Sequence, residues 1–276
     1  MKATMTLHRV YFFVVFWFTS WVGYIGFFRP LEILRALPWP APPLHARFIG
    51  ALYLGASAFL LLAMFGRSRL QVRTVVDIAW VWTGCLLVIT IMHWGMFDFA
   101  REQVWFWVVA YIAFPIVAAW LAWASPATTV PRNTLMAQPW VPIYLRLQGA
   151  ALVAMAALLM VVPGWVAGLW PWKISTFLAQ VYSGPVLGFG VGSLLLAARR
   201  NWPETLIPTI GMLVFAVLAL IGSSWHLGLF TAGSPSQFIW FGSLAFLAIM
   251  SVVLIIGALR SARGMRTSTH SLEKRT

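Results

Sequence analysis

Acidic residues are scarce in this sequence. Only six of the 276 residues are Asp or Glu, against 19 Lys and Arg, so the net charge is +13. Charged residues of both signs make up 9% of the chain and apolar residues 61%, whereas soluble domains carry roughly 25% charged residues. A soluble domain of this length cannot bury so much apolar surface. The composition therefore excludes an ordinary soluble protein and indicates an integral membrane protein.

The lack of acids, rather than an abundance of bases, produces the positive net charge. In a soluble protein such a charge often indicates nucleic-acid binding. Here the basic residues stand between apolar runs and at the C-terminal tail, which is how Lys and Arg set membrane orientation and contact anionic headgroups. We therefore expect the lipid bilayer, and no nucleic acid, as a partner.

Cysteine is also nearly absent. Cys85 is the single one, and it stands within an apolar run, so an intrachain disulfide and a thiolate metal cluster are excluded. The sequence has no nucleophile elbow, no phosphate-binding loop, no HExxH motif and no carboxylate pair suited to acid–base catalysis. These absences disfavour an enzyme with its whole mechanism in this chain, and they favour a protein without a cofactor.

Long apolar runs are what the sequence has in abundance. A hydrocarbon layer about 30 Å thick is crossed by roughly 20 helical residues. Eight runs are long enough, near 9–28, 46–65, 74–97, 103–123, 143–168, 177–198, 204–228 and 237–259. With both termini in the cytoplasm, 14 Lys and Arg fall inside and five outside, as the positive-inside rule requires. We predict a multi-pass protein of a prokaryotic plasma membrane with cytoplasmic termini.

The eight predicted spans form two groups of four. Between the groups, residues 124–142 contain four prolines among polar residues and cannot continue a helix. We predict a first four-helix unit over 1–123, a cytoplasmic linker over 124–142, and a second four-helix unit over 143–260. The basic cytoplasmic tail over 261–276 is expected to be disordered or to lie along the lipid headgroups.

The two groups repeat one pattern. A shift of 133 residues without a gap aligns the following residues: Pro30 with Pro163, Pro38-Trp39 with Pro171-Trp172, Ala46 with Ala179, Gly55 with Gly188, Arg67 with Arg200, His93 with His226, Phe97 with Phe230, and Trp107 with Trp240. Coincidence of scarce residues in one register indicates a tandem duplication. Because each unit has an even number of spans, we expect the copies to be related by a pseudo-two-fold axis along the membrane normal.

Glycines recur on the second span of each unit. Gly184, Gly188 and Gly192 stand at four-residue spacing, which lets helix backbones approach closely in lipid. The first unit keeps Gly55 but has Phe59 at the third position. We expect both spans to pack through these positions, although not identically.

The stretch from His45 to Ser57 places an outer arginine, Arg47, before a glycine-spaced apolar helix. It resembles the second helix of DoxX-like four-helix membrane modules. The corresponding stretch of the second unit has Gln180 in place of the arginine. The resemblance implies a four-helix unit, in some relatives near quinone-linked metabolism, and it transfers no catalytic residue.

His93 and His226 are the leading candidate site residues. They occupy equivalent repeat positions, about one helical turn inside the outer ends of the third and seventh spans. Titratable groups in a membrane usually face the bundle interior or a cavity, so a two-fold axis would allow both imidazoles to share a site. That site would be framed by Trp94, Trp225, Arg47 and the interfacial segments around Trp39 and Trp172. In the alternative interpretation each histidine makes a structural hydrogen bond or anchors the interface.

Asp77 is the one carboxylate that lies clearly within a predicted span. An ionised carboxylate in lipid needs a partner, and Arg73 stands four residues earlier on the same helix face. We therefore predict an intramembrane ion pair between Arg73 and Asp77.

Three functions remain open at this point. The favoured one is a non-catalytic protein that binds an apolar small molecule, lipid or quinone in an outer-leaflet cavity between the two units, or that serves as a subunit of a larger membrane complex. The second is an electron-transfer subunit with a b-type haem held by His93 and His226. The third is a small-solute transporter, for which the sequence shows no polar site at the membrane midplane.

Overall fold

The computed structural model describes residues 2–124, 132–136 and 138–273, and every regular element in these ranges is a helix. Eight helices are long and apolar enough to cross a membrane. The prediction of an all-helical, multi-pass membrane protein with eight spans is therefore confirmed. The helices are α1 Lys2–Phe28, α2 Pro43–Met64, α3 Arg69–Met92, α4 Glu102–Trp123, α5 Trp140–Val161, the short α6 Pro163–Leu169, α7 Thr176–Arg199, α8 Trp202–Ser224 and α9 Pro235–Glu273.

Proline sets the boundaries of the fifth span. The predicted span 143–168 is interrupted at Val162, because Pro163 has no N–H to donate and begins a new helix, α6. At its other end α5 begins at Trp140, within the predicted linker. Residues 125–131 and 137 of that linker lie outside the described residues.

The basic tail is helical where it is described. Helix α9 continues to Glu273, so the expectation of disorder is wrong for 261–273, whereas a segment along the headgroups stays a prediction. Residues 274–276 lie outside the described residues. Extending an existing helix adds a hydrogen bond per residue without a new nucleation step. The tail contains no proline that would stop this extension.

Helices from the two predicted units interdigitate at the centre of the bundle. Helix α2 packs against α1 and α8, and it touches α3 only narrowly; α7 packs in the same way against α5 and α3 and only narrowly against α8. Helices α4 and α9 lie outside, against α3 and α8 respectively. The four inner helices are therefore α2, α3, α7 and α8, two from each unit.

Glycines permit the closest of the contacts between inner helices. A Cβ atom added at Gly55 would lie 2.8 Å from the Gly211 carbonyl oxygen and 2.8 Å from Phe215 Cβ, both on α8. One added at Gly188 would lie 3.0 Å from Trp82 Cβ on α3. Gly184 and Gly192 face α3 through Leu86 and Ile78. In lipid, such close approach stabilises helix pairs through van der Waals contact.

The bundle has two ends of different character. We call the end with both termini and the α2–α3 and α7–α8 connections the proximal end, and the opposite end, with the longer connections 29–42, 93–101, 162–175 and 225–234, the distal end. At the distal end Arg101 donates hydrogen bonds to the carbonyls of Leu34 (2.7 Å) and Pro38 (3.4 Å). These bonds tie the connection before α2 to the connection before α4.

Gly55→Leu is expected to destabilise the folded protein by about 1–3 kcal/mol, the usual cost of overpacking a core, because the new side chain would meet α8. Gly242→Leu on α9 is the matched control, since a Cβ atom there meets nothing within 4 Å. Unfolding in SDS–detergent mixtures, followed by circular dichroism, measures both variants. Equal stability of both variants would contradict the close contact between α2 and α8.

Candidate functional site

His226 lies just beyond the end of α8, not one turn inside the helix as predicted. Arg47 on α2 donates a hydrogen bond from Nε to His226 Nε2 at 3.0 Å and another from Nη1 to the Phe27 carbonyl at 3.2 Å. The guanidinium carbon lies 4.8 Å from the ring centroid of Trp225, a cation–π distance. Three predicted site residues, Arg47, Trp225 and His226, therefore meet at the distal end.

His93 occupies the equivalent place beyond the end of α3. Its Nε2 lies 2.6 Å from the Oε1 of Gln180 on α7, and because an amide oxygen only accepts, the imidazole donates. Gln180 in turn donates to the Met160 carbonyl at 3.1 Å. The Phe177 ring packs edge-on against the imidazole at 4.9 Å between centroids. Trp94 stands beside this contact with half of its side chain exposed.

Both histidines therefore direct Nε2 at a side chain from the other unit, in contacts that share no residue. A b-type haem needs one nitrogen from each axial histidine, so Gln180 and Arg47 would first have to release these atoms, or the rings would have to bind through Nδ1. Within the described residues no group of three or more His, Cys, Asp or Glu side chains is placed to hold a metal ion. In the structure, the Nε2 atom of each histidine is engaged in a hydrogen bond with another side chain of the protein.

Trp39 and Trp172 are buried rather than displayed at the surface. Trp39 packs edge-on against Trp107, and Trp172 packs edge-on against Trp240, with 4.7 Å between ring centroids in both pairs. Phe177, which contacts His93, also packs against Trp39 at 5.0 Å. Each predicted tryptophan segment thus folds inward and closes the distal end of its own unit.

His45, which stands just before the predicted span 46–65, is buried in the first turn of α2. Its Nε2 lies 3.0 Å from the Lys173 carbonyl and its Nδ1 2.7 Å from the Tyr182 hydroxyl. The carbonyl can only accept, so Nε2 donates and Nδ1 accepts from the tyrosine. Lys173 and Tyr182 lie more than 120 residues away along the chain, and this is why the sequence missed the contact.

A buried polar cluster lies at the proximal end. Glu204, in the first turn of α8, is fully buried. It accepts hydrogen bonds from Thr74 Oγ1 (2.8 Å), Asn201 Nδ2 (2.8 Å) and Arg199 Nη1 (3.1 Å), and it forms an ion pair with Arg73. The Asn201-x-x-Glu204 spacing is that of a capping box. That pattern places Glu204 at a helix start, but it carries no sign of burial.

The predicted ion pair between Arg73 and Asp77 is replaced by three pairs between helices, since Arg199 also pairs with Glu204 at 3.1 Å. Asp77 pairs with Arg199 of α7 at 2.7 Å, while Arg73 turns to Glu204 of α8. A wholly buried carboxylate has the greatest need of a cation, because it has lost all contact with water. Two carboxylates and two guanidiniums from α3, α7 and α8 compensate one another, so Asp77 has a partner although the predicted one was wrong.

A cleft of about 850 Å³ lies between α1 and α4. Its walls are mainly apolar, and Arg35, Glu102 and Gln103 form its distal rim. The cleft lies within the first unit, whereas the sequence led us to expect a cavity between the units. The wall residues are Phe13, Val14, Trp17, Phe18, Trp21 and Val22 on α1 and Phe106, Val109, Ala110, Ala113 and Phe114 on α4.

Behind the cleft, α1 to α4 bring five hydroxyl groups together at mid-helix depth. Tyr53 and Tyr111 hydrogen-bond to each other, and Ser57 Oγ donates to Thr19 Oγ1 at 2.9 Å. A small cavity of about 20 Å³ is lined by Tyr53, Tyr111, Thr19 and Thr83 among apolar residues. The sequence showed no polar site at the midplane, because these hydroxyls are scattered singly over four apolar helices.

No protein-family model, no curated protein and no solved structure matches the chain significantly. The fold and the contacts above define an all-helical, multi-pass membrane protein with a cleft in its first unit. What the protein does has to be inferred from its own residues.

The pKa of His226 is expected to lie below its ordinary value, because burial and then the Arg47 guanidinium disfavour the imidazolium. The contact between Arg47 and His226 should contribute its full stabilisation of the folded protein at pH values above the unfolded pKa of about 6.5. This stabilisation should be lost as the pH falls from there through the folded pKa. Arg47→Gln removes the charge and should raise the pKa of His226. Nitrogen-15 NMR of histidine-labelled protein measures the pKa of His226 in the wild type and in the variant. An unchanged pKa in the variant would contradict the contact between Arg47 and His226.

Glu204→Ala should destabilise the protein by about 3–5 kcal/mol, the usual cost of leaving a buried charge without its partner, because Arg73 and Arg199 would share only Asp77. Asp98→Asn serves as the control, since Asp98 is exposed and asparagine keeps the oxygen that accepts from the Ala100 N–H. Denaturant unfolding of the wild type and both variants measures the change in the free energy of unfolding. A Glu204→Ala protein as stable as the control would show that the network carries little energy.

Proposed function

We propose that this protein is a membrane-embedded binding protein that takes an amphipathic molecule sideways from the bilayer into the cleft between α1 and α4, without chemistry on it. The cleft carries this proposal. Three of its wall residues, Phe13, Trp17 and Phe106, have 49%, 60% and 65% of their surface exposed. They stand on the lipid-facing side of transmembrane helices, so entry from the hydrocarbon layer requires no passage through water.

The dimensions of the cleft fit a molecule that occupies one leaflet. The walls extend from Phe13 to Val22 on α1 and from Gln103 to Phe114 on α4, which at 1.5 Å per helical residue is roughly 14–17 Å. Half of a hydrocarbon core of about 30 Å is about 15 Å. A volume of about 850 Å³ is within the usual range of ligand pockets.

The rim of the cleft supplies polar contacts for a headgroup. Arg35 carries a positive charge, Glu102 a negative one and Gln103 an amide, and all three line the same opening. Arg35 also pairs with Glu32 at 2.8 Å, so the rim has no strong excess of either sign. A membrane lipid, a quinone or another long-chain amphipath whose head both donates and accepts hydrogen bonds suits this arrangement.

The proposed membrane is a prokaryotic plasma membrane, with the rim of the cleft outside. The proximal end and the termini carry 14 of the 19 Lys and Arg residues, and the distal end carries five. The positive-inside rule then favours cytoplasmic termini, which puts the cleft in the outer leaflet.

We also propose that the two halves are diverged copies of one four-helix unit of the DoxX-like kind, related by a pseudo-two-fold axis. The helix starts support this relation. Helices α2, α3 and α4 and the 3₁₀ helix at Pro30 each begin 133 residues before α7, α8, α9 and α6. The two units need not share a binding function for this relation to hold.

Equivalent contacts recur in both halves and support the same proposal. The two tryptophan pairs have equal centroid distances of 4.7 Å. Trp107 donates to Thr90 at 3.0 Å, and Trp240, one repeat later, donates to Ser223 at 2.9 Å. Arg47 and Gln180 occupy equivalent repeat positions, as His93 and His226 do. A two-fold axis would pair each histidine with the residue from the other half, and His93 does bond to Gln180 while His226 bonds to Arg47.

The cleft is particular to the first unit. In the register of the repeat, Ala150, Ala151 and Ala154 stand where the first unit has Trp17, Phe18 and Trp21. Gly168 and Pro235 stand in place of Arg35 and Glu102. The second unit therefore lacks both the aromatic wall and the charged rim, and we place binding in the first unit alone.

Ala113→Phe is expected to fill the cleft and to lower the amount of amphipath that copurifies with the protein on the order of tenfold, equivalent to about 1.4 kcal/mol. Ala113 is exposed in the cleft wall, so its replacement should leave the core intact. Ile116→Phe is the control, because Ile116 is equally lipid-facing but outside the cleft.

The measurement is extraction of the purified protein followed by mass spectrometry, with bound molecules counted per chain. Retention near one per chain in the wild type and in Ile116→Phe, but not in Ala113→Phe, is the expected result. Wild-type protein that retains nothing after mild detergent purification, or equal retention in all three, would refute the proposal.

A further inference from the structure

Two aromatic side chains, Phe18 and Phe114, separate the cleft from the hydroxyl groups at the centre of the first unit. On the cleft side, the Phe18 ring packs against Phe106 and Phe114, at 5.7 Å and 5.4 Å between centroids. On its inner side it packs against Tyr111 at 5.9 Å and Tyr53 at 6.4 Å. Phe18 and Phe114 line both the cleft and the small inner cavity, so the two spaces share a wall of two aromatic rings.

The hydroxyl groups are confined to the first unit. In the repeat register, the five positions Thr19, Tyr53, Ser57, Thr83 and Tyr111 correspond in the second unit to Leu152, Val186, Gly190, Ala216 and Leu244. The same helical frame is therefore built in the second unit without any of these hydroxyls. The frame can therefore form without these hydroxyls, and burying polar groups away from water carries a free-energy cost.

The pair formed by Tyr53 and Tyr111 has one hydroxyl proton that is not used in the hydrogen bond between them. When two hydroxyls bond to each other, one donates and the other accepts, and the accepting hydroxyl still carries its own proton. Within the described part of the chain, neither the Tyr53 nor the Tyr111 hydroxyl makes a further hydrogen bond, and both side chains are buried. A buried donor without an acceptor is unfavourable. The cavity of about 20 Å³ exceeds the roughly 10–15 Å³ that one water-sized oxygen requires.

We infer that this cluster is a second polar subsite of the cleft, which binds the oxygen acceptor of a neutral ligand, a carbonyl above all, when Phe18 swings aside. The inference rests on the proposed binding function and specifies its ligand. No charged residue lines the inner cavity, and a charged group at this depth would be strongly disfavoured. The ligand class is therefore a neutral, long-chain carbonyl compound whose oxygen reaches Tyr53 or Tyr111 while its chain lies in the cleft.

The test uses the full-length protein in lipid nanodiscs and a long-chain methyl ketone labelled with carbon-13 at the carbonyl, whose infrared stretching band falls in frequency when a phenol donates to it. Wild-type protein should show the lowered band for the bound ketone. Tyr111→Phe alone should keep it, because Tyr53 then donates. The double variant Tyr53→Phe/Tyr111→Phe should lose the band and retain roughly threefold to tenfold less ketone, as expected for one hydrogen bond.

Two controls separate this inference from the proposed function. Tyr24→Phe changes an exposed tyrosine of α1 outside the cleft and should leave the band unchanged. The double variant replaces both hydrogen-bonding partners by isosteric apolar rings, a change that is nearly neutral for folding. Ketone that binds wild-type protein, is excluded by Ala113→Phe and shows no lowered band would overturn the subsite while leaving the cleft in place. A lowered band that persists in the double variant would overturn it as well.

Discussion

The close approach of α2 to α8 and of α3 to α7 is the constraint on which the rest of the structure depends. Lipid provides no hydrophobic drive for one helix to associate with another, so the inner helices are held by van der Waals contact at glycine and by polar groups that find partners only across the interface. Each seam is held by a glycine contact and by polar contacts. Gly55 and the Arg47–His226 bond hold α2 on α8, whereas Gly188, the His93–Gln180 bond and the Asp77–Arg199 ion pair hold α3 on α7. Both seams join the two halves, which makes neither half an independent bundle.

This interdigitation places α1 and α4 at the periphery of the first unit. Helix α1 packs on α2 and α4 packs on α3, whereas the backbones of α1 and α4 approach each other at few points and meet mainly through aromatic side chains such as Phe18 and Phe114. A gap between them therefore costs the core little, and its walls are free to carry large aromatic residues such as Trp17 and Phe106. The same reasoning explains why the cleft lies at the periphery of one unit. The space between the units, where a cavity was expected, is filled by the four inner helices.

The sequence predicted the eight long apolar helices well because each apolar run depends on one chain segment at a time. The ion-pair and hydrogen-bond partners of a residue depend instead on neighbours in space that are remote in sequence. Asp77 and Arg73 are four residues apart on one helix face, but Glu204, remote in sequence and fully buried, takes Arg73 and leaves Asp77 to Arg199. His45 lies just before the predicted span 46–65, although proline is well suited to a first helical turn and α2 begins at Pro43. His93 and His226 each make a hydrogen bond between the halves, and the partners of their Nε2 atoms, Gln180 and Arg47, stand on other helices.

Differences between the two halves indicate where the proposed binding site lies. Both halves keep a seam glycine, a distal histidine and a tryptophan pair at the distal end, whereas Arg47 and Asp77 of the seams correspond to Gln180 and Ile210. Only the first half has Trp17, Trp21 and the five hydroxyls of its interior. Three of these hydroxyls, those of Tyr53, Ser57 and Thr83, lie on inner helices. They face the first unit's small cavity or Thr19. Residues that one copy lacks without loss of the frame are not needed to stabilise that frame. Their burial in lipid still carries a free-energy cost, and a ligand that enters between α1 and α4 and meets the phenol pair would offset it.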